Sequence, residues 1–374
     1  MSDEVKQRKA EHVSVSLQHD VSAPQTASWA DIHLIHRALP EVDLDDIDTS
    51  VQFLGRKLNY PVFVSSLTGG HPDVAGINER LARIAEEYGL AMGVGSQRAG
   101  ILNESVAASY AVARERAPHA FLIANVGAPQ LIAQKHHPAF TPDDVRKAIT
   151  MISANALAVH LNFLQEAAQP EGDRNARGCV EALKAAVGMA GVPVIAKETG
   201  AGISFEQAIT LRAAGVSAID VGGAGGSSMA AMESVRAEAR GDTGTARVGQ
   251  LFRDWGIPTP IAVVEAGQAA PEMPLISTGG VRSGLDAARA IALGATLVGM
   301  GFPFLKAAAE GDVAVREFFE QFVTELKVAM QLTGAATMSQ LRNVPVVVGG
   351  ASREWLEVRG FGQTLQRLAR RAMT

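Results

Sequence analysis

Eight short apolar runs, each closing on glycine or small polar residues, constrain this chain more than any other feature. They are "PVFVSSLTGG" (61–70), "LAMGVGSQR" (90–98), "AFLIANVG" (120–127), "ALAVHLN" (156–162), "VPVIAKETG" (192–200), "AIDVGGAGG" (218–226), "PLISTGG" (274–280) and "TLVGMG" (296–301). Nearly all are continuous rather than alternating, the pattern of parallel strands covered on both faces. Helix-like segments separate them. "VAGINERLARIAEEY" (74–88) and "SFEQAITLRAAG" (204–215) carry apolar residues at helical spacing, the second opening on Ser204 as an N-cap and closing on Gly215. Eight repeats of strand then helix predict an α/β fold, a (β/α)8 TIM barrel closed by right-handed crossovers. A doubly wound open sheet is the alternative, and eight evenly used units favour closure.

A barrel of ~250 residues leaves flanks on a chain of 374. Residues 1–60 read as an N-terminal extension, 61–304 as the barrel and 305–374 as C-terminal helices, opened by the helical pattern of 313–334. Both flanks are expected to pack on the barrel, making 1–374 one domain. The segment 227–273 is long for a strand-to-helix connection, which suggests a lid or a subunit contact. A net charge of −5 gives no electrostatic case for nucleic acid. Cys179 is the single cysteine, so an intrachain disulfide and a multi-cysteine metal site are excluded, and a reducing, cytoplasmic setting fits. "MSDEVKQRKAEH" lacks the apolar stretch of a secretory signal, and the run 290–305 is too short and glycine-rich for a membrane span.

In such a barrel the site lies at the C-terminal ends of the strands. His160 and Asn162 end the fourth strand, and Gln165 and Glu166 start the loop beyond it. The same logic brings Ser66, Thr68, Ser96, Gln97, Arg98, Asn125, Lys197, Ser227 and Arg282 to one mouth. A lone strand-end Asn or Ser caps a helix or closes a turn, and a lone His160 is as readily a core histidine; convergence from several strands is what points to a site. Glycine-rich loops after strands seven and eight, "STGGVRSG" (277–284) and "GMGFP" (299–303), are where many barrels hold a phosphate on backbone N–H groups. The glycines after strand six, Gly222 among them, can do similar work. Lys197 ends an apolar run, and a buried lysine needs an anion. A reduced flavin ring would provide one; a Schiff base to a phosphorylated sugar is the rival use.

With these residues assembled, the chain resembles the type 2, flavin-dependent isopentenyl-diphosphate isomerase family nearly end to end. The resemblance is carried by "RKAEH" (8–12), "SLTGG" (66–70), "GSQR" (95–98), "ANVG" (124–127), "HLNFLQE" (160–166), "KETGAGIS" (197–204), "WGIPT" (255–259) and "GGVRSGLDAARAIALGA" (279–295), in order and at the right spacing. It implies an FMN-binding barrel that interconverts isopentenyl and dimethylallyl diphosphate, with Mg2+, with NADPH as reductant, and as a homo-oligomer, tetramer or octamer. Carried over by position, Ser66, Leu67, Thr68, Ser96, Asn125, Lys197, Gly222, Ser227, Gly280, Val281, Arg282, Gly301 and Phe302 would line FMN. Arg8, Lys9, His12, Ser96, Gln97, Arg98 and Gln165 would contact the diphosphate substrate, and Glu166 would hold Mg2+. His160, Asn162 and Gln165 would support a reaction in which reduced FMN is the acid and base. Two departures matter: after strand six the family carries Gly-Gly-Thr, one residue and a tryptophan, where this chain has "GGSSM" (225–229), with Ser227 keeping a hydroxyl in place of the threonine and Met229 in place of the aromatic.

Two rivals compete. An FMN-dependent 2-hydroxy-acid oxidase shares the barrel but needs a histidine base beside the strand-seven arginine, and none adjoins Arg282. A non-catalytic phosphate-binding barrel leaves Gln165 and Glu166 beside Lys197 unexplained.

Overall fold

The computed structural model describes residues 11–24, 28–66, 69 and 75–371. Each of the eight apolar runs contains a strand: β1 Val62–Val64, β2 Ala91–Gly93, β3 Phe121–Gly127, β4 Ala156–Leu161, β5 Val194–Glu198, β6 Ala218–Asp220, β7 Leu275–Thr278 and β8 Leu297–Met300. All pair in parallel in chain order, and β8 pairs with β1, so the sheet closes as a (β/α)8 barrel rather than opening into a doubly wound sheet.

Alternation along the strands splits the barrel interior into two layers. One apolar cluster draws on every strand: Phe63, Ala91, Ile123, Ala158, Ile195, Ala218, Ile276 and Leu297 belong to it. Side chains repeat with period two along a strand. Two residues further along, the same face therefore carries Ser65, Gly93, Asn125, His160, Lys197, Asp220, Thr278 and Gly299. The interior is apolar at its N-terminal end and polar or glycine at its C-terminal end.

A hairpin from the N-terminal flank, Val51–Phe53 and Arg56–Leu58, plugs the apolar end. Its turn needs positive φ at both central positions, which Leu54 (45°) and Gly55 (81°) supply. Phe53 and Leu58 join the interior cluster, and the Phe53 ring meets Phe121 edge-on at 5.5 Å.

The flanks depart from the sequence reading in two places. Ile32–Leu34 pairs antiparallel with Val346–Val348, so 305–374 is not purely helical; a three-residue strand is too short to show a period. Helix Phe302–Glu310 follows β8 without a break, so the boundary at 304 cuts the barrel's own last helix. The longest helix, Asp312–Thr333, ends on Gly334 in the left-handed conformation. The C-terminal helices are clamped by Arg359, which donates to the buried Glu265 at 3.1 Å and to Glu206 at 2.8 Å. The segment 227–273 holds three helices, Met229–Ala239, Thr243–Leu251 and Thr259–Ala269. Among the described residues no helix is long and apolar enough to cross a membrane.

Candidate active site

A cavity of about 580 Å3 opens above the polar layer. Its roof is the helix over 11–18 with the run after it, which contribute His12, Val13, Ser16, His19, Asp20, Val21 and Ser22. That run is tied to the loop after β6. Ala23 N donates to Gly226 O at 2.8 Å, Ser228 N donates to Val21 O at 2.7 Å, and the Arg253 guanidinium donates to Ser22 O at 3.0 Å.

One wall is a glycine cradle. A Cβ at Gly226 would stand 2.8 Å from Gly280 N, and one at Gly279 would stand 2.1 Å from Gly223 O, so the loops after β6 and β7 meet backbone to backbone. Gly280 also sits at φ +70°. Gly222, Ser227, Gly280, Val281 and Arg282, with Gly301 and Phe302 after β8, all face the cavity. Beside them, the buried hydroxyls of Ser66 and Thr278 lack a hydrogen-bond partner among the described residues. Close backbone, unspent hydroxyls and one arginine suit a phosphorylated cofactor such as FMN.

The strands beside the cradle carry charge at and just beneath the cavity. His160, Lys197 and Asp220 are direct neighbours in register on β4, β5 and β6. Lys197 Nζ lies 3.0 Å from Asp220 Oδ2 and donates to Glu198 O at 3.0 Å. The anion that Lys197 requires is thus supplied by the protein itself. His160 Nδ1 is 2.8 Å from Asn125 Oδ1, whose amide donates to Val94 O at 3.0 Å. Burial pushes the Glu198 carboxyl up to about 7, although the backbone N–H groups of Ala201, Gly200 and Gly202 and the charge of Lys197 oppose it.

The loops after β4 and β6 hold the remaining carboxylates. Glu166, 4% exposed, accepts from Asn162 Nδ2 at 2.9 Å, from Gln169 Nε2 at 2.5 Å and from Asp173 N at 2.8 Å. Arg98 donates to Asp173 at 2.6 Å, and Gln130 donates to the same oxygen at 3.1 Å. Glu233 sits behind the roof, 3.0 Å from His12 Nε2 and accepting from Gln165 Nε2 at 2.8 Å. Arg236 bonds a different carboxylate through each guanidinium nitrogen: Glu11 at 3.0 Å, Glu171 at 3.2 Å, and Glu233.

Every sequence-predicted site residue in the described part faces this cavity except one. Gln97 is fully buried and turned away; its amide donates to Ala148 O at 2.8 Å and its oxygen accepts from Asn125 N at 2.8 Å. It ties β2 to β3 rather than contacting a substrate. Arg8, Lys9, Leu67 and Thr68 lie outside the described residues. Met229, in the place of the family's aromatic, lines the wall. Sequence reasoning missed Asp220, Glu198, Asp173, Glu233 and Arg236. The first two sit inside runs already counted as strands; the others lie in loops and helices whose partners are distant in sequence. Among the described residues no three His, Cys, Asp or Glu side chains cluster to cage a metal. Glu166 and the Asn162 Oδ1 beside it, which has no hydrogen-bond partner among the described residues, could offer oxygens to a hard cation that draws its other ligands from outside the protein.

The family model for FMN-dependent dehydrogenases matches residues 146–347. An isopentenyl-diphosphate delta-isomerase of Methanosarcina barkeri is 48% identical over 355 residues, 95% of each chain. One of Archaeoglobus fulgidus is 48% identical over 353 residues, 94% of this chain and 99% of its own. Among solved structures, a putative lactate oxidase of Pediococcus acidilactici superposes with a TM-score of 0.65 at 17% identity over 93% of both chains. A mandelate oxidase gives 0.60 at 19% identity over 93% of this chain and 99% of its own. The two oxidases show a shared fold.

Proposed function

This chain belongs to the isopentenyl-diphosphate delta-isomerase family, and from that premise we propose that it interconverts isopentenyl and dimethylallyl diphosphate with FMN bound in the glycine cradle. The observation that carries the reading is the close-packed glycine cradle of Gly226, Gly279 and Gly280, which shares one cavity with Lys197. Glu166 accepts three N–H bonds on its two oxygens, so it supplies position and charge. Reduced FMN, when bound, would supply the proton donor and acceptor that move the double bond.

The residues divide the remaining work. Ser66, Leu67, Thr68, Ser96, Asn125, Gly222, Ser227, Gly280, Val281, Arg282, Gly301 and Phe302 hold the cofactor, and Lys197 faces its ring. Arg98 and His12, with Arg8 and Lys9 from the N-terminal flank, take the diphosphate. Glu166 holds Mg2+ against it. His160, Asn162 and Gln165 orient the alkene end, and the roof keeps water out. NADPH serves as reductant. The chain acts as one cytoplasmic domain, in a tetramer or octamer. Leu251 and Trp255, 71% and 61% exposed on the segment 227–273, support a subunit contact there. The oxidase alternative is disfavoured by the histidines: among the described residues those facing the cavity are His12, His19 and His160, none of them from the loop after β7.

The test is anaerobic. Protein, limiting NADPH, excess isopentenyl diphosphate and Mg2+ are mixed in D2O, and deuterium is followed by NMR. Many product molecules per NADPH, with label in the dimethylallyl product, are expected. One NADPH consumed per product would return the oxidoreductase reading.

A further inference from the structure

The Lys197–Asp220 pair carries a consequence beyond the reaction itself. Asp220 is fully buried, and its two oxygens are unequally served. Oδ1 accepts a long bond from Gly222 N at 3.3 Å. Among the described residues Oδ2 meets the Lys197 ammonium, at 3.0 Å, and no other donor. A buried carboxylate so poorly solvated depends on its counter-ion. Lys197 is held from a second side by Glu198 O. Of the pair, Lys197 faces the cavity and Asp220 does not. The cavity therefore meets an ammonium with a carboxylate behind it, a dipole in place of a bare charge.

We propose that Asp220 is a positioning residue that fixes where Lys197 stands and how much positive charge it presents to a bound flavin. This rests on the FMN reading above. A reduced flavin carries more negative charge than an oxidised one, so charge at this wall sets the balance between them. With Asp220 neutralised, Lys197 acts unopposed and the reduced form gains.

The test uses the FMN-loaded protein and reads the flavin midpoint potential spectroscopically. D220N, which keeps the shape and removes the charge, should raise the affinity for reduced over oxidised FMN about tenfold, ~30 mV upward for two electrons. Lys197→Met should shift it the other way. In the K197M background, D220N should change nothing, because the cycle isolates what passes through Lys197. An unchanged potential in D220N, or the same shift in both backgrounds, overturns the proposal. If D220N alone fails to hold FMN, the K197M/D220N protein decides, since it leaves no buried charge unmatched. FMN bound at the potential of K197M upholds the proposal, and a different potential overturns it. Wild-type protein that takes up no FMN sinks the functional reading, a result distinct from FMN bound at an unresponsive potential.

Discussion

His12 and Glu233 meet at 3.0 Å across 221 positions of sequence, and that contact hangs the roof of the cavity on the helix after β6. Burial alone would raise the Glu233 carboxyl. The hydrogen bond and charge of His12, the Arg236 charge and the Gln165 amide outweigh it and hold the group down at about 2. Its folded value thus lies below the ordinary 4.5, so the stability it contributes is present above about 4.5 and lost as pH falls toward 2. Acid unfolding followed by circular dichroism should be steeper over that window in wild type than in E233Q. Equal slopes would detach Glu233 from folding.

Glu198 works with the opposite sign. Its carboxyl is pushed up to about 7 by burial, so folding favours the protonated form. That contribution is full below 4.5 and fades as pH rises through about 7. A carboxyl infrared band that converts to carboxylate near neutrality, and is missing from E198Q, is the expected signature. A band already converted at pH 5 would show that the three backbone N–H groups win over burial.

Glu166→Gln should weaken Mg2+ dependence at least tenfold, ~1.4 kcal/mol, while FMN stays bound. The three N–H groups around Glu166 suit two anionic oxygens; a glutamine offers one acceptor and turns an NH2 toward donors. Metal titration of the loaded enzyme checks it, and unchanged dependence removes Glu166 from the metal site.

Arg98→Ala should raise KM for the diphosphate about tenfold and leave FMN content alone. Its partner Asp173 keeps Gln130 as a donor, so the loop after β4 should hold. A fall in FMN content with KM unchanged would move Arg98 to the cofactor side.

Far from the cavity, Arg359→Ala should cost ~2 kcal/mol of stability, because it strips a buried carboxylate of its cation. The Glu265 side chain is 1% exposed and, among the described residues, keeps only the Phe205 amide and the Trp355 indole. Thermal melting measures the loss, and kcat should be unaffected.

The barrel was legible because its signal is coarse: eight apolar runs, each followed by a helical segment, need no long-range information. The polar ends of those runs gave His160, Asn125 and Lys197 for the same reason. Asp220 was hidden in plain sight. It stands two residues after Ala218, as Lys197 stands two after Ile195 and His160 two after Ala158. A run read as continuously apolar conceals that period-two switch. Gln97 failed the other way: its sequence neighbours face the cavity, but its side chain follows the strand pairing. Glu233, Arg236 and Asp173 depend on contacts between segments, and nothing local marks them.

The plugged end of the barrel decides the traffic through this protein. Phe53 and Leu58 stop the interior at its far side, so whatever is consumed and whatever is made share one doorway. That doorway is framed by the run over 19–24, pinned across the loop that carries Ser227.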